Sequence, residues 1–146
     1  MRRVIAALAV LAIVGLVAAT ASSAAGTRAT VKTRHGKLGT FLVAGNGMTL
    51  YQFDKDKTSK STCSGQCAQF WPPLITSGKA KTSGAVRGSL LGTTKRSDGK
   101  LQVTYKGHPL YSFSQDAKPG DTMGQGFSAF GAKWHVVAPS GKKIGG

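Results

Sequence analysis

The stretch Leu50-Tyr51-Gln52-Phe53-Asp54-Lys55-Asp56 decides the fold, because it recurs 60 residues later as Leu110-Tyr111-Ser112-Phe113-Ser114-Gln115-Asp116. Both copies have the pattern L-Y-x-F-x-x-D. Side chains two residues apart on a β-strand share one face, so the tyrosine and phenylalanine of each copy form an aromatic stripe suited to cross-strand pairing. The last aspartate follows the predicted strand, where it can accept backbone N–H groups and fix the next loop.

Further matches surround the two motifs. A tryptophan follows each copy, at Trp71 and Trp134, and a Leu-Gly-Thr triplet precedes each copy, at residues 38–40 and 91–93. Because neither copy alone has enough apolar surface for a stable domain, the duplication predicts one sheet system with approximate twofold symmetry. The residues that define the repeat are candidates either for a ligand-binding face or for the core: Tyr51, Phe53, Asp56, Trp71, Tyr111, Phe113, Asp116 and Trp134.

The rest of the chain consists of short β-type runs between glycine-containing turns. Gly45-Asn46-Gly47 is a strong turn signal, and residues 48–53 follow it as the second arm of a hairpin. Residues 101–105 alternate like a half-buried strand. Only residues 63–70 have the pattern of a short helix, which Pro72-Pro73 would end. We predict an all-β fold: one compact antiparallel-sheet domain built from two tandem repeats of about 60 residues, with one short helical turn near Cys63 to Phe70.

The N-terminal residues have the order of a secretory signal peptide. A basic start at Met1-Arg2-Arg3 precedes 16 apolar residues without a charge, and small residues follow. We expect cleavage after Ala21, Ala24 or Ala25; the alternative is a retained transmembrane anchor, but a span usually needs about 20 apolar residues. No cysteine precedes Cys63, so the lipobox cysteine of a lipid anchor is missing. The expected location is secreted or extracytoplasmic, without a transmembrane anchor after cleavage.

These features divide the chain into parts. Two stretches rich in Lys, Ser, Thr and Gly, at 55–62 and 76–88, carry little apolar content and are expected to be solvated loops. The C-terminal end is rich in Gly and Lys and is expected to fray. The predicted organisation is a cleaved signal peptide at 1–25, a lead-in at 26–37, a two-repeat β domain at 38–138 with repeats at 38–76 and 91–138, and a flexible tail at 139–146.

The composition is strongly basic. The chain has 20 lysines and arginines against five aspartates and no glutamate, and its net charge of +15 becomes +13 when Arg2 and Arg3 leave with the signal peptide. Chemistry that requires a glutamate is excluded, as is a helical bundle laced with Glu–Lys pairs. A field of this size attracts polyanions in a salt-dependent way. The expected partners are anionic envelope polymers such as teichoic acids, or anionic lipid headgroups; without a recognisable nucleic-acid module, specific nucleic-acid binding is not expected.

The motifs together resemble a known family, the secreted or lipoprotein repeat domains with a Y-x-(F/W/Y)-x-x-D motif, which are widespread in bacteria and of unknown function. The resemblance covers roughly residues 38–138. It implies an extracytoplasmic domain and no established activity. The chain departs from the family in lacking an anchoring cysteine, and in a bulkier segment before the second tryptophan. The matching stretches are 47–56, 63–68 and 71–74 in the first repeat, and 105–113, Asp116, 119–121, 124–126 and Trp134 in the second.

Cys63 and Cys67 are the two cysteines of the chain. An even cysteine count in an exported protein favours a disulfide. On one helical turn their Cα atoms would lie about 6 Å apart, within disulfide range, and closing so small a loop contributes only about 2 kcal/mol. The bond would also fix the turn that presents Trp71. The alternatives are a redox-active pair or a soft-metal site.

Other chemistry has weaker support in the sequence. His108, His135, Met48 and Met123 could in principle form a copper site, but they have no metal-binding spacing, so we predict no metal and no cofactor. No G-x-S-x-G motif occurs. The repeat-equivalent Asp56 and Asp116 could act as a paired-carboxylate glycosidase site, although structural duplication explains them more simply.

The sequence therefore favours a secreted, non-enzymatic, all-β domain that acts in the cell envelope by binding and is attracted to anionic polymers. The alternative is an extracytoplasmic redox or copper-handling protein that uses Cys63 and Cys67 with histidine and methionine side chains. A hydrolase is a weaker third hypothesis.

Overall fold

The computed structural model describes residues 26–146, so the predicted signal peptide at 1–25 lies outside the described residues. Within this range the regular elements are short strands, apart from one short helix and one 3-10 turn, which confirms the all-β prediction. No helix in the described range is long and apolar enough to cross a membrane. The elements are β1 (Thr30–Gly36), β2 (Gly39–Ala44), β3 (Tyr51–Phe53), α1 (Gln66–Phe70), β4 (Ile75–Thr76), β5 (Lys81–Thr82), a 3-10 turn (Gly88–Leu90), β6 (Leu91–Lys95), β7 (Leu101–Tyr105), β8 (His108–Pro109), β9 (Ser128–Ala129) and β10 (Ala132–Val136).

The strands form three small sheets, with strand orders β2-β1-β5, β3-β10-β9 and β4-β7-β6, and β8 adds to β7. All pairings are antiparallel except the short parallel contact between β1 and β5. Each repeat contributes one hairpin, β1-β2 in the first and β6-β7 in the second. The predicted turn at 45–47 forms, with the Gly47 N–H donating to the Ala44 carbonyl at 2.8 Å. Of the second arm predicted at 48–53, residues 48–50 pair back with β2, where Leu50 N–H donates to the Leu42 carbonyl at 3.0 Å, and β3 then pairs with β10 of the other repeat.

The approximate twofold axis passes between the two motif tyrosines. Tyr51 and Tyr111 form an isolated antiparallel bridge, in which each backbone N–H donates to the other carbonyl at 2.8 and 3.1 Å. The equivalent tyrosines of the two motifs are therefore backbone neighbours. The chain past Tyr111 runs beside the first repeat, because Ser112 and Ser114 donate to the carbonyls of Pro72 and Phe70.

The core has two halves, and the motifs contribute to both. Tyr51 and Tyr111 belong to an aromatic cluster that also includes both tryptophans and both cysteines. The preceding leucines, Leu50 and Leu110, point to the opposite side and join an aliphatic cluster with Val31, Leu42, Leu91, Val103 and Val137. This alternation is the period of two that a strand imposes on neighbouring side chains. One seven-residue motif thus supplies both halves of the core.

Two details of the repeat organisation differ from the sequence predictions. The lead-in assigned to 26–37 contains β1, a full strand of the first hairpin. The Leu-Gly-Thr triplets are not equivalent, because residues 38–40 lie at the tip of the first hairpin whereas residues 91–93 lie in the first strand of the second. Three matching residues are too few to set the alignment of the two repeats, which is determined by how whole strands pair.

The C-terminal tail at 139–146 is ordered by hydrogen bonds, contrary to the prediction of a flexible segment. It turns at Gly141 (φ 82°) and returns to β10, where Ile144 N–H donates to the Val136 carbonyl at 2.9 Å. Two core side chains reach it, since Tyr105 Oη donates to the Pro139 carbonyl at 2.6 Å and Gln52 Nε2 to the Gly141 carbonyl at 3.0 Å. Polar contacts hold this segment. Such contacts leave no periodic apolar pattern in the sequence from which its position could be predicted.

Deletion of residues 139–146 should lower the free energy of unfolding by about 2–4 kcal/mol, because it leaves the buried Gln52 amide and Tyr105 hydroxyl without their acceptors. The measurement is the urea midpoint of the protein. Deletion of 145–146 alone is the control, since both glycines are exposed, and it should leave the midpoint unchanged. Equal midpoints for the two deletions would show that the tail frays.

Candidate functional site

The motif residues meet in the middle of the molecule through crossed hydrogen bonds. Tyr51 Oη of the first repeat donates to Asp116 Oδ2 of the second at 2.7 Å. Tyr111 Oη of the second repeat donates to Asp56 Oδ2 of the first at 2.6 Å. The tyrosine of each motif thus serves the aspartate of the other. The two repeats are joined by a symmetrical exchange of side-chain donors.

The second oxygen of each carboxylate fixes a loop, as predicted for an aspartate just past a strand. Asp56 Oδ1 accepts from the backbone N–H and the hydroxyl of Thr62, at 2.7 and 2.6 Å. Asp116 Oδ1 accepts from the Met123 N–H at 2.9 Å. Each loop leads into the segment that carries the tryptophan of its own repeat, Trp71 or Trp134. Charged acceptors make stronger hydrogen bonds than neutral ones, so these contacts hold the loops firmly.

The ionisation of this centre follows from its burial. Burial, with the hydrogen bond to a carboxylate, raises the pKa of Tyr51 and of Tyr111 far above the ordinary range, so both hydroxyls stay protonated and donate. Burial also raises the pKa of Asp116, outweighing the hydrogen bonds from Tyr51 and Met123 that favour its ionised form. The two tyrosines are therefore fixed donors, whereas the carboxylate of Asp116 takes up a proton more readily than that of an ordinary aspartate.

The aromatic rings of the motifs interleave in the same crossed order. The sequence of the stack is Phe53, Trp134, Trp71, Phe113, so rings of the first and second repeats alternate. Neighbouring centroids are 3.9–4.0 Å apart, and the two indoles are parallel to within 2°. Gly124 permits this packing, since a Cβ there would lie 2.7 Å from the Trp71 ring. The stack and the Tyr–Asp bonds together explain the repeated sequence.

The structure places all the repeat-defining residues in the core, so they do not form an exposed ligand face. Their exposed fractions range from 0% to 6%. Burial of the rings completes the stack, and burial of the carboxylates gives them their tyrosine donors. The residues concerned are Tyr51, Phe53, Asp56, Trp71, Tyr111, Phe113, Asp116 and Trp134.

The cysteines form the predicted disulfide. Cys63 and Cys67 are bonded to each other with Cα atoms 5.3 Å apart, and both are buried. The bond spans the start of α1, whose Cys67 carbonyl accepts the Trp71 N–H at 2.8 Å. It therefore fixes the turn from which Trp71 enters the stack. Both sulfurs are engaged in this bond and are not thiolate ligands.

The structure does not gather the candidate copper ligands into one site. Within residues 26–146, no group of three or more His, Cys, Asp or Glu side chains is arranged to hold a metal ion. Buried His135 lies with Nε2 3.1 Å from Asp54 Oδ2. Half-buried His108 lines a cleft, Met48 is half-buried beside a turn, and Met123 is 67% exposed.

One concave surface is a cleft of about 460 Å³ that sequence reasoning missed. It forms where the C-terminal tail returns over β3 and the β7–β8 turn. Four exposed lysines and His108 line it, and Asp54 lies on its wall, bonded to Lys143 Nζ at 2.9 Å. We call this the basic cleft, lined by Gln52, Phe53, Asp54, Asp56, Lys57, Lys106, His108, Gly141, Lys142, Lys143 and Gly146. In the sequence, only the adjacent lysines at 142–143 pointed to this cleft, and they lay in a segment predicted to be a flexible tail.

Asp54 is stabilised in its charged form. Burial alone would raise its pKa, but hydrogen bonds from Lys143 and His135, with their charges, outweigh burial and lower the pKa of Asp54 below its ordinary value. The contact ties the tail to the end of β3.

All five aspartates are engaged within the protein. Asp56 and Asp116 bond to tyrosines, and Asp54 to Lys143 and His135. Asp98 and Asp121 accept backbone N–H groups in their own turns, from Lys100 and from Ala117 and Lys118. Among the described residues, Lys143 is the one lysine or arginine in an ion pair. The positive charge is thus largely uncompensated at the surface.

Comparison with known proteins gives one match. A family model described as a secreted repeat of unknown function matches residues 32–75 and 92–138, which is more than half of the chain. The chain belongs to this family. In this secreted repeat protein the two matched segments start in β1 and β6, the first strands of the two hairpins. Curated proteins and solved structures give no match.

Replacing Tyr111 by Phe in the secreted repeat protein should cost about 1.5–3 kcal/mol of stability, because the buried Asp56 carboxylate loses a donor. Tyr105→Phe is the matched control, since Tyr105 is equally buried but donates to a neutral carbonyl, and it should cost about 0.5–1.5 kcal/mol. Urea unfolding measures both. Equal costs would mean that the Tyr–Asp bonds are no stronger than ordinary ones.

Asp54→Asn should destabilise the secreted repeat protein at neutral pH, and the difference from the parent should vanish in acid. The folded-state pKa of Asp54 lies below the ordinary value of 3.8, so its stabilisation is present above that pH and is lost as the pH falls through the lowered pKa. Thermal unfolding from pH 7 to pH 2.5 measures this. Asp98→Asn removes the same charge from an exposed turn, and a matching pH profile there would contradict a specific role for Asp54.

Proposed function

We propose that this protein is a secreted, non-enzymatic binding domain of the cell envelope that holds phosphate-bearing anionic polymers in its basic cleft. The observation that carries the proposal is the internal use of every aspartate. Because the carboxylates are engaged in the core and in turns, the surface lysines and arginines are left to meet external anions.

The basic cleft is where this charge meets a concave surface. Four lysines line it: Lys57, Lys106, Lys142 and Lys143. Its two carboxylates are bonded within the protein, which weakens their repulsion of an anion. Asp54 is already paired with Lys143, and Asp56 is only 3% exposed and bonded to Tyr111. The wall behind the lysines is joined to the tail, since Gln52 Nε2 donates to the Gly141 carbonyl at 3.0 Å. Lysine ammonium groups suit phosphates along a flexible chain, because they act as point charges without a fixed geometry.

The same contacts support a binding role over an enzymatic one. The carboxylates suggested for a glycosidase, Asp56 and Asp116, are buried and bonded to tyrosines. The redox or copper-handling alternative relied on Cys63 and Cys67, and their sulfurs are joined in a buried disulfide that shapes the core. No observation on the described residues favours either alternative over binding.

Replacing Lys57, Lys106 and Lys142 by Gln should weaken binding of the exported protein to poly(glycerol phosphate) by roughly tenfold to hundredfold. The measurement is titration of the polymer at low and high salt, with neutral dextran as the reference polymer. Binding by the parent should fall steeply as salt rises, because the contacts are electrostatic. Lys143 is left in place so that its pair with Asp54 is not disturbed.

The matched control replaces Lys37, Lys79 and Lys81 by Gln, which removes the same charge from exposed positions outside the cleft. Its affinity should fall much less than that of the cleft variant. Equal losses would assign binding to the overall field and contradict a specific role for the cleft. Binding that does not change with salt would contradict an electrostatic role altogether.

A further inference from the structure

A second surface of the protein is apolar and aromatic. Phe70, at the end of α1, and Phe127 and Phe130, on either side of β9, are 39%, 43% and 38% exposed. They border an open groove of about 210 Å³. We call it the aromatic groove, lined by Phe70, Trp71, Phe113, Gln115, Phe127, Ala129 and Phe130. It shares no lining residue with the basic cleft.

The floor of the aromatic groove is the end of the core stack. The Phe127 ring lies 5.5 Å from Phe113 and 6.2 Å from Trp71, and the Phe70 and Phe130 rings lie 6.1 Å apart, centroid to centroid. The Phe127 ring therefore rests on rings that are fixed in the core, and the Phe70 and Phe130 rings pack on each other beside it. Such a preformed apolar surface loses little conformational entropy when something covers it.

Phe130 has a backbone conformation that other residue types adopt more readily. It has φ 57° and precedes Gly131 with φ 92°, at the tip of the β9–β10 hairpin. Two positive φ values at a two-residue turn are the pattern for which Asn-Gly is preferred. A bulky side chain in this region is a backbone outlier, and such outliers concentrate at binding sites. The sequence thus places a strained, exposed phenylalanine where an asparagine would fit better.

Size and charge identify the occupant. A stable protein interface uses roughly 20–30 residues on each side, far more than line this groove, and two copies of so basic a chain repel each other. A lipid surface needs only a few apolar side chains to enter it, and anionic headgroups attract a basic protein. The exposed Lys133 lies on the same hairpin and lines a shallow surface together with Phe130. Charge complementarity therefore favours an anionic lipid surface.

We propose that the aromatic groove docks on a lipid surface that carries anionic headgroups. Phe130 enters the interfacial region at the hairpin tip, Phe70 and Phe127 lie beside it, and Lys133 meets the headgroups. This contact is separate from polymer binding in the basic cleft, because different residues carry it. The protein then has one surface for lipid and another for polymer.

The test is co-sedimentation of the exported protein with vesicles of equal parts phosphatidylglycerol and phosphatidylcholine. Phe130→Asn should lower partitioning by about tenfold, because it removes the leading apolar side chain. Its thermal midpoint should stay the same or rise, since asparagine tolerates the positive φ at this position. A binding loss without a stability loss separates docking from misfolding.

The matched control is Ile75→Thr, which removes a similarly exposed apolar group, 40% exposed, outside the aromatic groove, and should leave partitioning unchanged. Equal partitioning of Phe130→Asn and the parent would overturn the proposal, and so would equal binding to pure phosphatidylcholine vesicles. A dimer in sedimentation that Phe130→Asn dissociates would assign the groove to a second copy instead. Phe130→Asn should retain poly(glycerol phosphate) binding, so failure of this proposal is distinguishable from failure of the cleft proposal.

Discussion

The crossed hydrogen bonds between Tyr51 and Asp116 and between Tyr111 and Asp56 are the contacts on which the rest of the structure depends. A carboxylate buried without a strong donor is costly, so each aspartate can leave water only when the other repeat supplies its tyrosine. Once both pairs form, the remaining carboxylate oxygens order two loops. Those loops lead to the segments that bring the tryptophans into the stack, so the polar and aromatic parts of the core form together.

This arrangement assigns the motif to folding and leaves recognition to the surface. The residues most prominent in the sequence are also the most deeply buried, and every one of them contacts a partner from the other repeat or from its own loop. All five acidic residues are bonded in the core and in turns, so the lysines and arginines dominate the charge of the protein's surface. Surface chemistry then differs between two places, a lysine-lined cleft at the tail and an aromatic groove at the second tryptophan segment.

Much of the fold could be predicted because its signals are local. The turn at 45–47, the alternation at 101–105, the helical turn before Pro72-Pro73 and the disulfide all follow from neighbouring residues. Pairing between distant segments could not be predicted in the same way. Both motifs have the same sequence pattern. The sequence alone therefore does not show whether each tyrosine bonds to the aspartate of its own repeat or to that of the other repeat. The basic cleft was missed for a related reason, since tertiary hydrogen bonds from Gln52 and Tyr105 order the tail that forms its wall.

The alternation of repeats along the aromatic stack has a consequence for how the chain assembles. The Tyr–Asp hydrogen bonds and the contacts between neighbouring rings of the stack are all made between halves, and the halves are joined by a largely polar connection between β4 and β6. The same contacts are available between the first half of one molecule and the second half of another, which is the condition for domain swapping. The connection is therefore the segment that decides between closure within one chain and exchange between two chains.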